Sequence, residues 1–347
     1  MLLVVLLLFS LAFGTVFVVE RETGRLAVIR NDELVKEIEG LGNLNHATLK
    51  FFKGNGYLIS RDGWLSLIDP ERAELVKKVK VGESTIGINF CLNFVAVANY
   101  APKTVELLSA ELKPVKSFET GSRNVGIKGK DRLLLFALMD ADEVWAVDCK
   151  TQELLKRIKV GRMPFDALLI DDRYVVGFFK EDGVGIVNLK DLSYRKVSFK
   201  AGDKEVVFKI PHFGFWGIKG ERAYVPAVGE RKLHVINVKN FTYEGFIPLP
   251  GLPVFAVVSP DGRFLAVNYS GDMEDYLTLV DLKDEKVFIT KRLGRRILHF
   301  RFTPGGRHLY LSSYFENKVK KVSVPDLVVE KEISVPTPSG VFIYGGK

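Results

Sequence analysis

Cysteine is nearly absent: Cys91 and Cys149 are the only two in 347 residues. Two thiols are too few for a disulfide framework. They can pair with each other or lie buried and inert, and the sequence leaves both readings open. No Cys-x-x-Cys-His occurs, which excludes a covalently attached haem. Also missing are a Gly-x-Ser-x-Gly elbow, a His-Glu-x-x-His pair and a phosphate-binding glycine loop. Their absence removes the common hydrolase, zinc-protease and nucleotide arrangements. Glutamine occurs once, as Gln152, beside plentiful Lys and Glu, a bias also found in heat-adapted chains. Charge of one sign is not concentrated anywhere. The formal net charge of +8 is spread over the chain without a dense Lys/Arg run. A nucleic-acid footprint needs clustered charge on one face, so nucleic acid is not expected as a partner. The mild excess fits an evenly solvated basic surface or a local basic pocket for an acidic ligand.

What is present in quantity is apolar and strand-forming: hydrophobic residues make up 47% of the chain and charged residues 27%. Residues 2–13 are almost wholly apolar, and Ala12-Phe13-Gly14 has the small-x-small pattern of a cleavage site. Residues 1–14 therefore read as a secretory signal peptide, leaving one domain over 15–347 and no membrane span after cleavage. The rival is an uncleaved anchor, since 2–19 is long enough to cross a bilayer. Cleavage is preferred because 16–19 is needed as a strand. Export would place the protein in an oxidising compartment.

Beyond the leader no segment sustains a helical 3.6-residue period. The stretch 44–69 (LNHATLKFFKGNGYLISRDGWLSLID) holds three strands separated by Lys-Gly-Asn-Gly and Arg-Asp-Gly turns. A charged fourth strand follows at 75–79, as edge strands often are. Equivalent opening positions recur at His46, Gly87, Val125, Asp166, Phe215, Phe255, His299 and Gly340, with steps of 41, 38, 41, 49, 40, 44 and 41 residues. That is the period of four-stranded propeller blades. The first unit (16–20, 25–30, 34–39) has three strands, and 340–344 (GVFIY) is a strand without a blade. Joining them gives an all-β, eight-bladed β-propeller closed by pairing of the N- and C-terminal strands, with no large open edge. Seven blades follow if the first unit is not a blade. The longest step carries an insertion at 199–212 (FKAGDKEVVFKIPH), a candidate lid over one face.

Of the five histidines, His234 and His308 lie inside strand patterns and read as structural. His46, His212 and His299 fall at or just before opening positions, which a propeller brings to one end of its channel. Three such histidines either form a pocket for a metal or cofactor or are unrelated loop residues. Arg61, Arg123, Arg162 and Arg296 lie at the same level, as do Tyr100, Asp140 and, in the insertion, Lys209. Converging guanidinium groups suit a carboxylate-rich ligand, although each arginine alone is more simply a solvated surface residue.

These residues carry a resemblance. Asn45-His46-Ala47-Thr48, then Ser60-Arg61-Asp62-Gly63, then Asn99-Tyr100-Ala101-Pro102 resemble segments of the haem d1 propeller family. That family includes the d1 domain of the cytochrome cd1 nitrite reductases and the assembly relatives NirN and NirF. The likeness covers nearly all of 15–347. It is nearest to the NirF branch through 161–168 (GRMPFDAL), 208–212 (FKIPH), 225–229 (VPAVG), 252–255 (LPVF), 298–304 (LHFRFTP) and 338–340 (PSG). The resemblance implies a periplasmic protein needed to make haem d1, binding haem d1 or its dihydro precursor without a covalent bond. Its implied partners are that tetrapyrrole, cytochrome cd1 nitrite reductase and NirN. It places His46 as axial metal ligand, Arg61 on a carboxylate and Tyr100 beside the pocket. His46 and Asp140 match the family's functionally important histidine and aspartate. Where the family has Asp-Ala-Gly this chain has Asp140-Ala141-Asp142, so the choice of aspartate stays open. Three functions stay open as well: an enzyme modifying tetrapyrrole side chains, with Asp140 moving a proton; a non-catalytic haem d1 carrier; and a generic exported propeller, lactonase-like or scaffold.

Overall fold

The computed structural model describes residues 14–206, 216–227 and 229–345. Nearly all of residues 1–14, read as the leader, therefore lies outside the described residues, as do Lys209, His212 and Phe215.

Eight four-stranded antiparallel sheets follow one another in the chain, each a blade of the ring. Seven are plain meanders. The first is assembled from both ends: Thr15–Glu20, Arg25–Arg30 and Glu33–Ile38 supply its outer three strands and Pro338–Tyr344 its innermost. Thr15 faces Tyr344, Val16 faces Ile343 and Phe17 faces Phe342. The expected ring, its blade count and its closure are thus observed. Among the described residues there is no α-helix, only short 3-10 turns such as Gly271–Met273 and Tyr314–Glu316. Among the described residues no helix is long and apolar enough to cross a membrane.

The sequence dictates this packing through period-two alternation. In Thr15–Glu20, Phe17 and Val19 pack toward the second blade, in a cluster with Leu49, Leu58 and Ile68. Val16 and Val18 turn the other way, against Tyr310, Val319 and Ile333 of the last blade. A strand buried on both faces must be apolar at every position, and 133–138 (LLLFAL) is an example. The eight apolar clusters each fill one blade–blade boundary. The outermost strands, such as Glu153–Lys159 and Val329–Ser334, are charged and mostly exposed, which discourages pairing with other chains.

The two cysteines pair. Cys91 ends the innermost strand of the third blade, Cys149 follows the third strand of the fourth, and their Cα atoms are 6.2 Å apart. The bond crosses the boundary that Phe118, Phe136 and Trp145 fill. The inert-thiol reading is thereby set aside: thiol spacing along the chain carries no information on blade adjacency. The insertion contains a small hairpin, Lys200–Ala201 paired with Lys204–Glu205.

Closing a 58-residue loop restricts the unfolded chain by about 4 kcal/mol in the chain-entropy account. We expect the double variant Cys91→Ser/Cys149→Ser to lose roughly 2–4 kcal/mol in urea unfolding, with the far-ultraviolet dichroism of the folded state unchanged. A loss near zero would mean that the bond adds nothing to this boundary.

Candidate functional site

In every blade the innermost strand begins on the same face of the ring. The connections between blades and the turns between second and third strands gather there too. This leading face holds His46, Arg61, Tyr100, Arg123, Asp140, Arg162 and Arg296, as the sequence reading required.

Three successive blades supply the residues that actually touch. His46 is exposed in the connection before Thr48–Phe52, with φ of 60°. Its loop is fastened to the Arg61-Asp62-Gly63 turn: the Arg61 amide donates to the Asn43 carbonyl (2.8 Å), and Asp62 Oδ1 accepts from the Asn43 amide (2.8 Å). Asp62 also accepts from the Ser60 hydroxyl. Burial pushes the Asp62 carboxyl up, but these hydrogen bonds outweigh it and hold the group below its ordinary value. Gly63 is obligatory, since its φ is +87° and a Cβ would fall 1.9 Å from the Gly82 carbonyl oxygen. The Arg61 guanidinium then lies over the half-buried Tyr100 ring, 5.4 Å from its centre, while Arg123 approaches that ring at 5.9 Å. This is cation–π geometry. Tyr100 owes its place to the buried neighbour Asn99, which donates to the Val81 carbonyl and accepts from Thr85 Oγ1. Among the described residues Arg61 has no carboxylate partner.

Arg123 has one. Its Nε and Nη2 donate to Asp140 Oδ1 at 3.0 and 2.6 Å, and its amide donates to Asp140 Oδ2 at 3.0 Å. Lys103, which the sequence reading did not single out, adds a cation 3.5 Å away. The Arg123 hydrogen bond, with lesser help from Lys103, holds the Asp140 carboxyl at about 2. A group so strongly ionised is a poor base and cannot serve as an acid near neutrality. Asp140 also belongs to a repeated device. Asp62 caps the Asn43 amide, Glu181 the Arg162 amide and Ser313 the Arg295 amide, each tying a blade's incoming connection to its own turn. The rival acid, Asp142, instead links two blades, its Oδ1 accepting from the amide of Met163 in the next one (2.8 Å). Asp275 and Asn317 do the same for Arg296 and Thr337.

The remaining residues are on the leading face but not in this cluster. Arg162 donates to the Lys180 carbonyl, and Arg296 lies 5.7 and 5.5 Å from the Tyr314 and Phe315 rings. His299 is inside the channel rather than at its mouth. Its Nδ1 accepts from the amide of Val341 in the closing strand (2.9 Å), and the Phe255 and Phe342 rings flank it. Burial, with the nearby Arg301 charge, pushes its pKa well below the usual histidine value. A neutral imidazole that accepts at Nδ1 carries its proton on Nε2, so it offers a ligand a donor and not a metal lone pair. Of the three histidines expected to converge, His46 is exposed on the leading face and His299 sits in the channel, while His212 lies outside the described residues. No group of three acidic, histidine or cysteine side chains there could hold a bare metal ion. His234, buried and held at about 4 by burial, and His308, paired with Glu330, are structural as read.

The sequence reading missed the channel charges Lys50, Lys128 and Arg301. The signal that could have found them was a lone cation inside an apolar innermost strand, as in 48–52 (TLKFF) and 297–302 (ILHFRF).

The Asp140 carboxyl, ordinarily near 3.8, is depressed in the folded state. Its contribution to stability is therefore complete above about pH 4 and drains away as pH falls through 2. We expect Asp140→Asn to flatten the loss of thermal stability between pH 4 and pH 2 relative to the parent; identical slopes would mean that the Arg123 pair is not formed in solution.

A protein-family model described as "Cytochrome D1 heme domain" matches residues 13–347. "Protein NirF" of Stutzerimonas stutzeri is 30% identical over 94% of this chain and 90% of its own length. "Protein NirF" of Pseudomonas aeruginosa is 29% identical over 93% and 89%. A solved structure described as "Dihydro-heme d1 dehydrogenase NirN in complex with DHE" shares the fold, with a TM-score of 0.83, 21% identity, and coverage of 95% of this chain and 75% of that one.

Proposed function

The chain belongs to the Cytochrome D1 heme domain family, and on that premise we propose that it binds haem d1 or its dihydro precursor, without a covalent bond, at the leading face, as a NirF-like participant in haem d1 biosynthesis. The observation that carries this reading is the Arg61 guanidinium. It lies over Tyr100 and beside the His46 loop, with no carboxylate of its own among the described residues. An arginine so placed binds a carboxylate bidentately, and an aromatic ring beside it offers a face to a macrocycle.

The donor set fits a d1-type pigment. His46 would hold the iron from its exposed turn. Arg61, Arg123, Arg162 and Arg296 would meet carboxylates around the rim, with the Nε2 proton of His299 offered from the channel; Lys209 and His212 are added as cofactor-binding residues on the sequence resemblance alone. When bound, the pigment supplies the iron and the conjugated ring; the protein orients it and screens it from water.

Carriage without turnover is favoured over side-chain chemistry by one specific feature: Asp140, the acid expected to move a proton, is locked as an anion by Arg123 and Lys103. We further propose that residues 1–14 direct export to the periplasm. The Cys91–Cys149 bond supports that location, since such bonds persist in oxidising compartments. The recipient would be cytochrome cd1 nitrite reductase, with NirN acting alongside.

A visible-absorption titration of the purified protein with haem d1 and with dihydro-haem d1, followed by mass analysis of the recovered pigment, tests this. We expect a saturable spectral shift with unchanged mass. A changed mass would make the protein an enzyme, and no shift with either pigment would leave only a generic propeller. His46→Ala should keep the fold, weaken binding by about tenfold or more and alter the bound spectrum. Arg61→Gln should weaken binding comparably while leaving the spectrum alone, because it touches a carboxylate and not the iron.

A further inference from the structure

The opposite end of the channel has a second concentration of cations. The innermost strands finish there around a cavity of about 390 Å³ walled by Phe51, Phe90, Phe302 and Phe342, with Lys50 and Arg301 opening into it. The two cations come from the second and eighth blades, on either side of the closing strand. Among the described residues Arg301 donates one hydrogen bond, from Nη1 to the Phe300 carbonyl (3.0 Å), whereas a guanidinium has five N–H donors. Lys50 has no hydrogen-bond or ion-pair partner among the described residues. Facing it across the channel are Lys128 and Asp166, themselves 3.7 Å apart. So this channel sets Lys50, Lys128 and Arg301 against the carboxylate of Asp166, with His299 neutral above.

Half-buried cations among aromatic walls are costly unless an anion joins them. Burial, reinforced by Lys128 and opposed by Asp166, lowers Lys50 to about 7, and burial lowers Arg301 to about 10. No acidic side chain lines the cavity among the described residues, so its polar chemistry is anion-binding, and its aromatic walls require an apolar body on the same ligand. The volume lies at the small end of the range for organic ligands.

We propose that the far end of the channel is a second ligand site, separate from the leading face, which takes a small carboxylate carrying an apolar or aromatic group, with Arg301 and Lys50 on the carboxylate and the four phenylalanines around the body. It rests on the channel's own residues and stands or falls independently of tetrapyrrole binding.

The probe is sodium benzoate, with benzylamine as its cationic counterpart, titrated calorimetrically into the purified pigment-free protein at constant ionic strength set with sodium chloride. We expect saturable one-to-one binding of benzoate and none of benzylamine. Arg301→Gln and Lys50→Met should each weaken it by about tenfold or more. Lys50→Met should at the same time raise the melting temperature of the free protein, because it removes a half-buried cation with no ion-pair partner among the described residues; loss of binding then cannot come from misfolding, and this variant carries the test if Arg301→Gln does not fold. Arg61→Gln, on the leading face, should leave benzoate binding unchanged. As Lys50 loses its proton, affinity should fall about tenfold or more between pH 6 and pH 9. The proposal is overturned by absence of saturable benzoate binding, by equal binding of benzylamine, by a flat pH profile, or by loss of binding in Arg61→Gln with none in Arg301→Gln and Lys50→Met.

Discussion

Everything in this molecule depends on one antiparallel pairing, that of Thr15–Glu20 with Pro338–Tyr344. A blade of four short strands is apolar on both faces and cannot be covered by one neighbour. The first and last blades would each expose a hydrophobic face if the ring stayed open. The closing strand removes both faces at once, because Phe17 and Val19 complete one boundary while Val16, Val18 and Val341 complete the other. The His299 imidazole reinforces the seam from the eighth blade by accepting the Val341 amide. A residue expected at a binding pocket thereby serves the architecture first.

The leading face is stiffened by a second rule. Short polar side chains in the turns cap the amides of the connections that enter each blade, either within the blade, as Asp62, Asp140 and Ser313 do, or into the next, as Asp142, Asp275 and Asn317 do. Loops that would otherwise be mobile become a rim of fixed turns, on which left-handed residues such as His46, Met163 and Arg296 are held. Side chains on such a rim can converge on a ligand without first being ordered by it. The caps also explain why acidic residues recur there. Their charge is absorbed by amides and arginines.

The architecture was legible because it is repetitive. Turn residues and strand-length apolar runs recur at a nearly constant spacing, and the orphan strand at 340–344 had only one place to go. The face of the ring that each candidate residue occupies was legible, since the opening position of each blade fixes it. Contacts between blades were not. The partnership of Asp140 with Arg123 and Lys103, the bond between Cys91 and Cys149, and the encounter of Lys50 with Lys128 and Asp166 each join different blades or turns. Spacing along one chain says little about such neighbours. Lys50 and Arg301 were further disguised by apolar company, which at short length reads simply as strand.

The register of the closing pair also fixes on which side of the disc its outermost residues lie. Thr15 sits opposite Tyr344, at the finishing end of the innermost strand. Thr15 and Tyr344 therefore both lie on the side of the disc remote from His46 and Arg61. A tether at either end, whether a lipid-bound leader, a fused domain or an affinity tag on a sensor chip, would hold the disc with its leading face turned outward. A partner docking there to receive a ligand would meet no obstruction from the attachment. The same tether would stand close to the mouth of the far cavity, so immobilisation would act as a selective plug for one end of the channel and leave the other open.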